Sequence, residues 1–243
     1  MKKGNMNLAI DVGNTKTKIG FFREDRLEST KTFESLSEIN QFLESKEINS
    51  VIISSVKLQY EDILNKLTTI QNPILLSNKT PLPFKNLYKS ETIGLDRIAA
   101  VAGAQALYPE ENTLVIDLGT CITYEVLEKG SIYHGGAISP GLHLRFKSMH
   151  NFTARLPLIE PETITNVIAD NTKDAMQSGV VFGIQAEIAA YIQEVESKFS
   201  PLKTIITGGD AKFFESKIKE PIFAIPELVL TGLNAILRYN ASL

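Results

Sequence analysis

The sequence contains the same short pattern twice. Residues 8–17, LAIDVGNTKT, align with residues 114–123, LVIDLGTCIT, at a constant offset of 106 residues, 114 minus 8. In both copies an apolar run leads into Asp-x-Gly and a polar turn, which is typical of a buried strand that ends at a loop. A second strand is predicted after each loop, at residues 18–22 and 124–127. The repeat therefore predicts two related halves in one chain.

Both halves continue with predicted strands and helices in the same order. The first half is completed by a hairpin turn, an amphipathic helix and an apolar strand, at residues 23–26, 37–43 and 50–55. The second half is completed by a third strand, a longer helix and an apolar strand, which run toward residue 133 and over 178–199 and 203–207. These elements predict an α/β protein with a duplicated domain and a ligand-binding cleft between its halves. The expected domains are residues 1–112 and 113–243.

Length and composition exclude several classes of protein. A chain of 243 residues can bury a core without disulfides or metals, and its net charge of −3 argues against a nucleic-acid partner. Cys121 is the only cysteine, which excludes an intramolecular disulfide framework and a cysteine-cluster metal site. Apolar runs are too short for a signal peptide or for the roughly 18 residues of a membrane span. We therefore expect a cytoplasmic protein with no membrane partner.

The two Asp-x-Gly loops contain groups that bind polyphosphates. Gly13 allows close backbone approach, and the Asp11 carboxylate could hold Mg²⁺ directly or through water. The rest of the first loop offers backbone, hydroxyl, amide and ammonium donors, from Val12, Asn14, Thr15, Lys16, Thr17 and Lys18. For a single copy, a turn with only local hydrogen bonds is the favoured interpretation. Two matched copies favour a phosphate site with one loop on each side.

Other nucleotide-binding signatures are absent from the sequence. It contains no Gly-Lys dipeptide and hence no P-loop, and it lacks the dinucleotide-binding and protein-kinase motifs. Residues 208–210, Gly-Gly-Asp, follow a predicted strand and could contact an adenine or a ribose. A glycine pair in that position also commonly forms a simple turn.

Residues 94–97, Gly-Leu-Asp-Arg, permit two interpretations. Asp96 precedes a predicted helix over 98–107, where it could serve as the N-cap. Alternatively, Asp96 could accept the proton of a substrate hydroxyl while Arg97 binds an anionic group of the substrate. The residues alone leave both interpretations open.

Two more segments are either structural or ligand-binding. Residues 135–141 are rich in glycine and could form a second substrate loop or the turn into the next helix. Residues 171–179 are predicted to open a helix with a polar cap. The three histidines lack the spacing of a zinc site, and surface or core roles are expected for His134, His143 and His150.

Six motifs, in order, resemble those of the type III pantothenate kinases, a family of the acetate and sugar kinase/Hsp70/actin superfamily. The motifs read D-x-G-N-T, G-x-D-R, D-x-G-T, G-G-x-I-x-P-G, T-A-x-L-P and N-T-x-D-A-x-x-S-G, at residues 11–15, 94–97, 117–120, 135–141, 153–157 and 171–179. The resemblance covers nearly the whole chain. It implies two ribonuclease-H-like (actin-like ATPase) domains, a homodimer, and ATP-dependent phosphorylation of pantothenate, the first step of coenzyme A biosynthesis.

The resemblance also implies roles for individual residues. Asp96 would be the general base on the primary hydroxyl of pantothenate, and the loop over residues 11–18 with Thr120 would bind the ATP phosphates. Asp117 would hold a monovalent cation, K⁺ or ammonium, and Asp11 the Mg²⁺ that accompanies ATP. The pantothenate site would be lined by Gly94, Leu95, Asp96, Arg97, Thr172 and, outside the family's usual Asn-Pro context, Tyr88.

Two other functions are compatible with the superfamily. One is a kinase or phosphohydrolase that acts on a sugar, an acyl acid or polyphosphate. The other is a non-catalytic, nucleotide-binding accessory factor for transcription. A protein without catalysis would be expected to have lost at least one of Asp11, Asp96 and Asp117, and this sequence has all three.

Overall fold

The computed structural model describes residues 6–13, 16–44, 46–55, 58–90, 92–164 and 166–243. The strands are β1 (Met6–Val12), β2 (Thr17–Arg23), β3 (Arg26–Phe33), β4 (Ser50–Ser55), β5 (Ile74–Leu75), β6 (Lys85–Asn86), β7 (Asn112–Leu118), β8 (Cys121–Glu128), β9 (Ile132–Pro140), β10 (Leu202–Thr207) and β11 (Ile222–Ala224). The helices are α1 (Leu36–Leu43), α2 (Tyr60–Lys66), α3 (Leu95–Leu107), α4 (Leu142–Asn151), α5 (Thr172–Glu196), α6 (Ala211–Phe214) and α7 (Leu228–Ala241).

The described residues form two compact units. The first lies within Met1–Glu110, Gly130–Tyr133 and Glu227–Leu243, and the second within Glu111–Lys129 and His134–Pro226. The C-terminal helix α7 thus belongs to the first unit. The domain bounds 1–112 and 113–243 remain a proposal.

The two sheets have the same strand arrangement. The first has the order β3-β2-β1-β4-β5, and the second runs β9-β8-β7-β10-β11, with β6 paired to the first residues of β9. In each sheet the leading hairpin is antiparallel, as β1–β2 or β7–β8, and the crossover pair is parallel, as β1–β4 or β7–β10. Every strand of the repeat therefore has a counterpart in the same position of the other sheet.

Register places the repeated aspartates at matching points of the two sheets. Asp11 lies opposite Lys18 on β2 and Ser54 on β4. Asp117 lies opposite Thr123 on β8 and Thr207 on β10. Both aspartates therefore lie at the carboxyl end of a central parallel pair, the edge at which open α/β sheets bind ligands.

Apolar residues on both faces of the central strands explain the continuous runs in the sequence. Leu8, Ala9 and Ile10 are all fully buried, as expected for strands that are covered on both sides. On one face, α1 and α2 contribute Ile39 and Ile63 to the same core. In the second unit, α4 and α5 form the core with β7 and β8. No helix among the described residues is both long and apolar enough to cross a membrane.

The C-terminal helix packs closely on α3 within the first unit. Gly232 of α7 lies so near to α3 that an added Cβ would come within 1.7 Å of the Ala99 carbonyl oxygen. Asn234, two residues further along α7, donates a hydrogen bond from Nδ2 to the Glu24 carbonyl oxygen at 2.8 Å. These contacts hold α7 against α3, the helix that carries Asp96, and against the turn between β2 and β3.

Several local predictions are confirmed, and three are wrong. The hairpin after β2, helix α1, strands β4 and β10, and the Asn171 cap of α5 are present. Helix α3 begins at Leu95 with Gly94 as N-cap, so the N-cap interpretation of Asp96 is wrong. Helix α5 begins at Thr172, as the predicted polar cap indicated, but it ends at Glu196 rather than at residue 199.

The third error concerns the glycine-rich segment 135–141. Its first six residues belong to strand β9 rather than to a loop, and Gly141 is the N-cap of α4. Gly136 is required because the β8 backbone lies directly against it. A Cβ added at Gly136 would come within 1.5 Å of the Tyr124 carbonyl oxygen.

Candidate active site

Asp11 provides a buried carboxylate oxygen at the carboxyl end of β1. Its Oδ1 has no hydrogen-bond partner among the residues that the structure describes. The pKa of Asp11 is raised from 3.8 to about 6, first by burial and second by the charge of Asp96, while the charge of Lys18 opposes both. Carboxylate oxygens are ligands for hard cations, so a bound cation would give this buried oxygen a partner.

The loop after β1 offers mainly backbone groups and one ammonium. Val12 is buried in the core, so only its backbone can reach a ligand, and the Gly13 nitrogen donates to the Lys16 carbonyl oxygen at 3.1 Å. Lys16 is exposed and Thr17 is buried. The predicted ligands Asn14 and Thr15 lie outside the described residues.

Lys18 is paired with a carboxylate that the sequence analysis did not identify. Its Nζ lies 2.6 Å from an oxygen of Glu227, the N-cap residue of α7. Because Lys18 also faces Asp11 across the β1–β2 hairpin, its ammonium lies among acidic groups in this unit. No local signal in the sequence connects Glu227 with β2.

Asp96 lies in the first turn of α3, where Gly94 leaves room for its carboxylate. Its Oδ1 accepts a hydrogen bond from the Arg97 nitrogen at 2.9 Å. A Cβ at Gly94 would come within 2.4 Å of the same Oδ1, so any other residue there would displace the carboxylate. Asp96 and Asp11 are close enough to interact electrostatically, which brings together the predicted base and the predicted Mg²⁺ ligand.

Arg97 is a buried cation beside two tyrosines. Its guanidinium lies 3.4 Å from the Tyr88 hydroxyl and 5.1 Å from the centre of that ring. Its second terminal nitrogen lies 3.5 Å from the Tyr133 hydroxyl, and the two tyrosine rings are stacked at 6.3 Å. The structure thus brings together Tyr88 and Arg97, two predicted pantothenate-site residues, and adds Tyr133, which was not among the predicted site residues.

A cavity of about 420 Å³ in the first unit includes part of the predicted pantothenate site. Gly94 and Leu95 form one wall of it. The other lining residues are mostly hydroxyl and amide side chains from the ends of β4 and β5 and the segment before α3: Ser55, Tyr60, Leu76, Ser77, Asn78, Thr92 and Ile93. A cavity of this size suits a small-molecule ligand.

The second Asp-x-Gly loop lies against the turn after β10. Gly208 has a φ of +95°, and a Cβ there would come within 2.4 Å of Asp117 Oδ1. The Asp210 nitrogen donates to the Leu118 carbonyl oxygen at 2.9 Å, which holds this turn next to the loop. The predicted Gly-Gly-Asp turn and the second Asp-x-Gly loop are therefore neighbours.

A cavity of about 380 Å³ opens beside this loop in the second unit. It is lined by Gly119, Thr120, His143, Leu144, Lys147, Gly209 and Asp210. Burial raises the pKa of Asp210, and His143, with Nε2 at 3.7 Å from Asp210 Oδ1, opposes that shift. No ligand role was predicted for His143 from the sequence.

Thr172, another predicted site residue, is exposed at the start of α5.

The described residues contain no group of three or more acidic, histidine or cysteine side chains that could hold a metal alone. Mg²⁺ in kinases is usually held by one or two carboxylates together with substrate phosphates, which requires no such group. The Oδ1 of Asp11, which lacks a hydrogen-bond partner within the described part of the chain, fits that arrangement.

Comparison with known proteins identifies the family. The family model of type III pantothenate kinase matches residues 7–194. The chain is 42% identical to the type III pantothenate kinase of Cytophaga hutchinsonii, over 97% of this chain and 100% of that protein. It is 43% identical to the type III pantothenate kinase of Bacteroides fragilis, over 97% and 98% of the two chains. This chain belongs to the type III pantothenate kinase family. The resemblance seen in the sequence is thereby confirmed.

Solved structures confirm the fold class of this kinase. A structure from Campylobacter jejuni, described as a candidate Baf family transcriptional activator, is 25% identical, with a TM-score of 0.63 over 97% of this chain and 100% of that one. An inorganic polyphosphate/ATP-glucomannokinase from Arthrobacter sp. strain KM gives a TM-score of 0.52 at 15% identity, over 98% and 99% of the two chains. A ROK family glucokinase from Streptomyces griseus gives 0.52 at 12% identity, over 97% and 99%. The last two similarities concern the fold alone.

Proposed function

We propose that this kinase transfers the γ-phosphoryl group of ATP to the primary hydroxyl of pantothenate, with Asp96 as general base. The activity, the first step of coenzyme A biosynthesis, is that of the family to which the chain belongs. The assignment of Asp96 rests on one observation: its carboxylate lies beside the buried Asp11 carboxylate, on a helix start where Gly94 leaves it room. A base in that position would contribute about 10²–10⁴ in rate.

Phosphoryl transfer requires mainly alignment of the two substrates and neutralisation of charge. The Gly13 and Thr120 loops would bind phosphates through backbone groups, and Lys18 would add its ammonium while Glu227 holds it in place. Arg97 would bind the pantothenate carboxylate, because a buried guanidinium recognises planar anions through paired hydrogen bonds. Tyr88 and Tyr133 would keep that guanidinium in one orientation.

Two cations would complete the site. Asp11 would hold Mg²⁺ together with ATP, and Asp117 would hold K⁺ or ammonium. When bound, these cations would neutralise phosphate charge. Carboxylate oxygens suit both ions, and the first assignment is supported by Oδ1 of Asp11, which no described residue partners.

The proposed assembly is a homodimer in the cytoplasm. In support of an interface, the second unit exposes several large apolar side chains, including Phe152 at 87% and Ile168 at 92% of their surface. Leu158 and Val167 are also more than half exposed. Exposed apolar residues of this size commonly mark protein contacts.

A transcriptional accessory role is the second candidate, because the Campylobacter jejuni structure carries that description. It would require nucleotide binding without turnover. The two candidates differ in whether pantothenate stimulates ADP release.

Replacing Asp96 by asparagine tests the proposed base. Asp96→Asn should lower kcat by about 10²–10⁴ and leave the Kd for ATP within about twofold of wild type. Asp62→Asn, an exposed aspartate in the first turn of α2, is the matched control and should retain full activity. Near-normal turnover by Asp96→Asn would show that another group takes the proton.

A further inference from the structure

A cluster of four side chains in the second unit has no part in the chemistry proposed so far. Glu187 of α5 accepts hydrogen bonds from three elements: the Tyr124 hydroxyl of β8 at 2.7 Å, Ser139 Oγ of β9 at 2.5 Å and Arg145 Nη2 of α4 at 2.5 Å. Tyr191 stacks on Tyr124 with ring centres 4.0 Å apart and covers the cluster. One carboxylate therefore ties two strands and a second helix to α5.

Arg145 extends this cluster to the backbone that precedes α4. Its Nε donates to the Pro140 carbonyl oxygen at 2.8 Å, and its Nη2 also lies 3.4 Å from Ser139 Oγ. Because guanidinium donors form a rigid planar fork, a single arginine can hold a carboxylate and a carbonyl at once, which a lysine ammonium does poorly. The position of Pro140 is thus fixed by Glu187 through Arg145.

The backbone held by Arg145 lies directly against the second Asp-x-Gly loop. The Gly141 nitrogen donates to the Thr120 carbonyl oxygen at 3.1 Å. A Cβ at Gly141 would come within 2.2 Å of the Gly119 carbonyl oxygen, so the two segments can lie this close only because residue 141 is glycine. A displacement of residues 140–141 would therefore move Gly119 and Thr120, which line the cavity in this unit.

The cluster is charged at neutral pH. Burial by itself would raise the pKa of the Glu187 carboxyl, but the hydrogen bonds from Ser139, Arg145 and Tyr124 lower it below its usual value. Burial, and then the contact with Glu187, raises the pKa of Tyr124, which keeps its hydroxyl protonated as a donor. Charge-assisted bonds of this kind are about twice as strong as neutral ones and hold their partners in a narrow geometry.

We propose that Glu187 and Arg145 are positioning residues that set the affinity of this kinase for ATP by holding the Gly119–Thr120 loop through Pro140 and Gly141. Neither residue touches the substrates in this account. The inference rests on the proposed function in one respect, the binding of ATP phosphates by that loop.

Direct nucleotide binding tests the proposal separately from catalysis. The Kd for ATP·Mg²⁺ is measured by calorimetry without pantothenate, and the KM values for ATP and for pantothenate are measured separately. Glu187→Ala should raise the ATP Kd about tenfold or more, because it removes a charge-assisted anchor. Glu187→Gln, whose amide oxygen can still accept from Arg145, should raise it only about twofold to threefold. In each variant the KM for pantothenate should stay within about twofold of wild type.

Arg145→Lys is a second variant, which keeps the positive charge. It tests the effect of the cluster on the ATP Kd if Glu187→Ala does not fold. It should raise the ATP Kd about fivefold, since lysine cannot hold Glu187 and the Pro140 carbonyl together. Glu194→Gln is the matched control on the same helix, because Glu194 pairs only with exposed Lys198 among the contacts described, and it should change nothing.

Four results would contradict the inference or its basis. A lower melting temperature with an unchanged ATP Kd in Glu187→Ala or Arg145→Lys would show that the cluster is only structural. An equal loss of affinity for ATP and pantothenate would show a general distortion rather than positioning of one loop. If wild type itself did not bind ATP, the proposed function would fail and the inference with it, whereas tight binding by wild type and all variants would overturn the inference alone.

Discussion

Replacement of Asp11 by asparagine should stabilise the nucleotide-free kinase at neutral pH while removing its activity. The folded protein holds the pKa of Asp11 at about 6, first because the carboxyl is buried and second because Asp96 lies nearby. Protonation of Asp11 therefore favours folding. The stabilisation of the folded state by protonated Asp11 is fully present below about pH 4 and is lost as the pH rises through about 6.

The size of the effect follows from the two pKa values. The shift from 3.8 to about 6 corresponds to roughly 3 kcal/mol of unfavourable free energy for the ionised carboxylate in the folded state. Asparagine removes the charge but keeps a polar side chain in the same place, so the expected gain at pH 8 is about 1–3 kcal/mol. At pH 5 the gain should be smaller by about 1.5 kcal/mol, because most folded wild-type molecules are then protonated at Asp11.

Urea unfolding at pH 5 and pH 8, without nucleotide or Mg²⁺, measures both values. Asp62→Asn is the control, and as a surface change it should alter stability by less than about 0.5 kcal/mol at either pH. Addition of ATP·Mg²⁺ should stabilise wild type and leave Asp11→Asn nearly unchanged. Destabilisation of Asp11→Asn at pH 8, or a gain that does not depend on pH, would refute the reasoning.

Three further predictions concern the remaining parts of the site. Gly208→Ala should lower the free energy of unfolding, measured in urea, by about 2 kcal/mol or more, because a Cβ there meets Asp117. Gly209→Ala is the control: no described atom lies within 4 Å of its added Cβ, so it should lower the free energy of unfolding by less than about 1 kcal/mol. Asp117→Asn should abolish stimulation of ADP release by K⁺ over Na⁺, and persistence of that stimulation would place the monovalent cation elsewhere. Arg97→Lys should raise the KM for pantothenate about tenfold or more and change the KM for ATP little, because one ammonium cannot replace the paired donors of a planar guanidinium. Equal changes in both KM values would contradict an anion-binding role.

The sequence predicted the parts of the fold that depend on local patterns. Strands β1 and β7 were predictable because each is a continuous apolar run that ends at Asp-x-Gly, and the loop residues show where the run must stop. The segment over residues 135–140 was misjudged for a physical reason. Glycines signal a turn locally, but here Gly136 is required by the approach of the Tyr124 backbone, which depends on strand pairing.

The same distinction separates predicted from unpredicted site residues. Asp11 and Asp96 lie in short motifs whose chemistry can be stated from neighbouring residues. Tyr133 reaches Arg97 across 36 residues of sequence, and Arg145 reaches Glu187 across 42. Such pairs have no characteristic spacing, because only the pairing of strands and the packing of helices brings them together.

The most direct test of the account is ADP release from ATP·Mg²⁺ in K⁺ buffer, with and without pantothenate, followed by mass spectrometry of the product. The account predicts release that depends on pantothenate and a product heavier than pantothenate by one phosphoryl group, both lost in Asp96→Asn. ADP release that is the same without pantothenate, or ATP binding with no turnover in the presence of pantothenate, would contradict it.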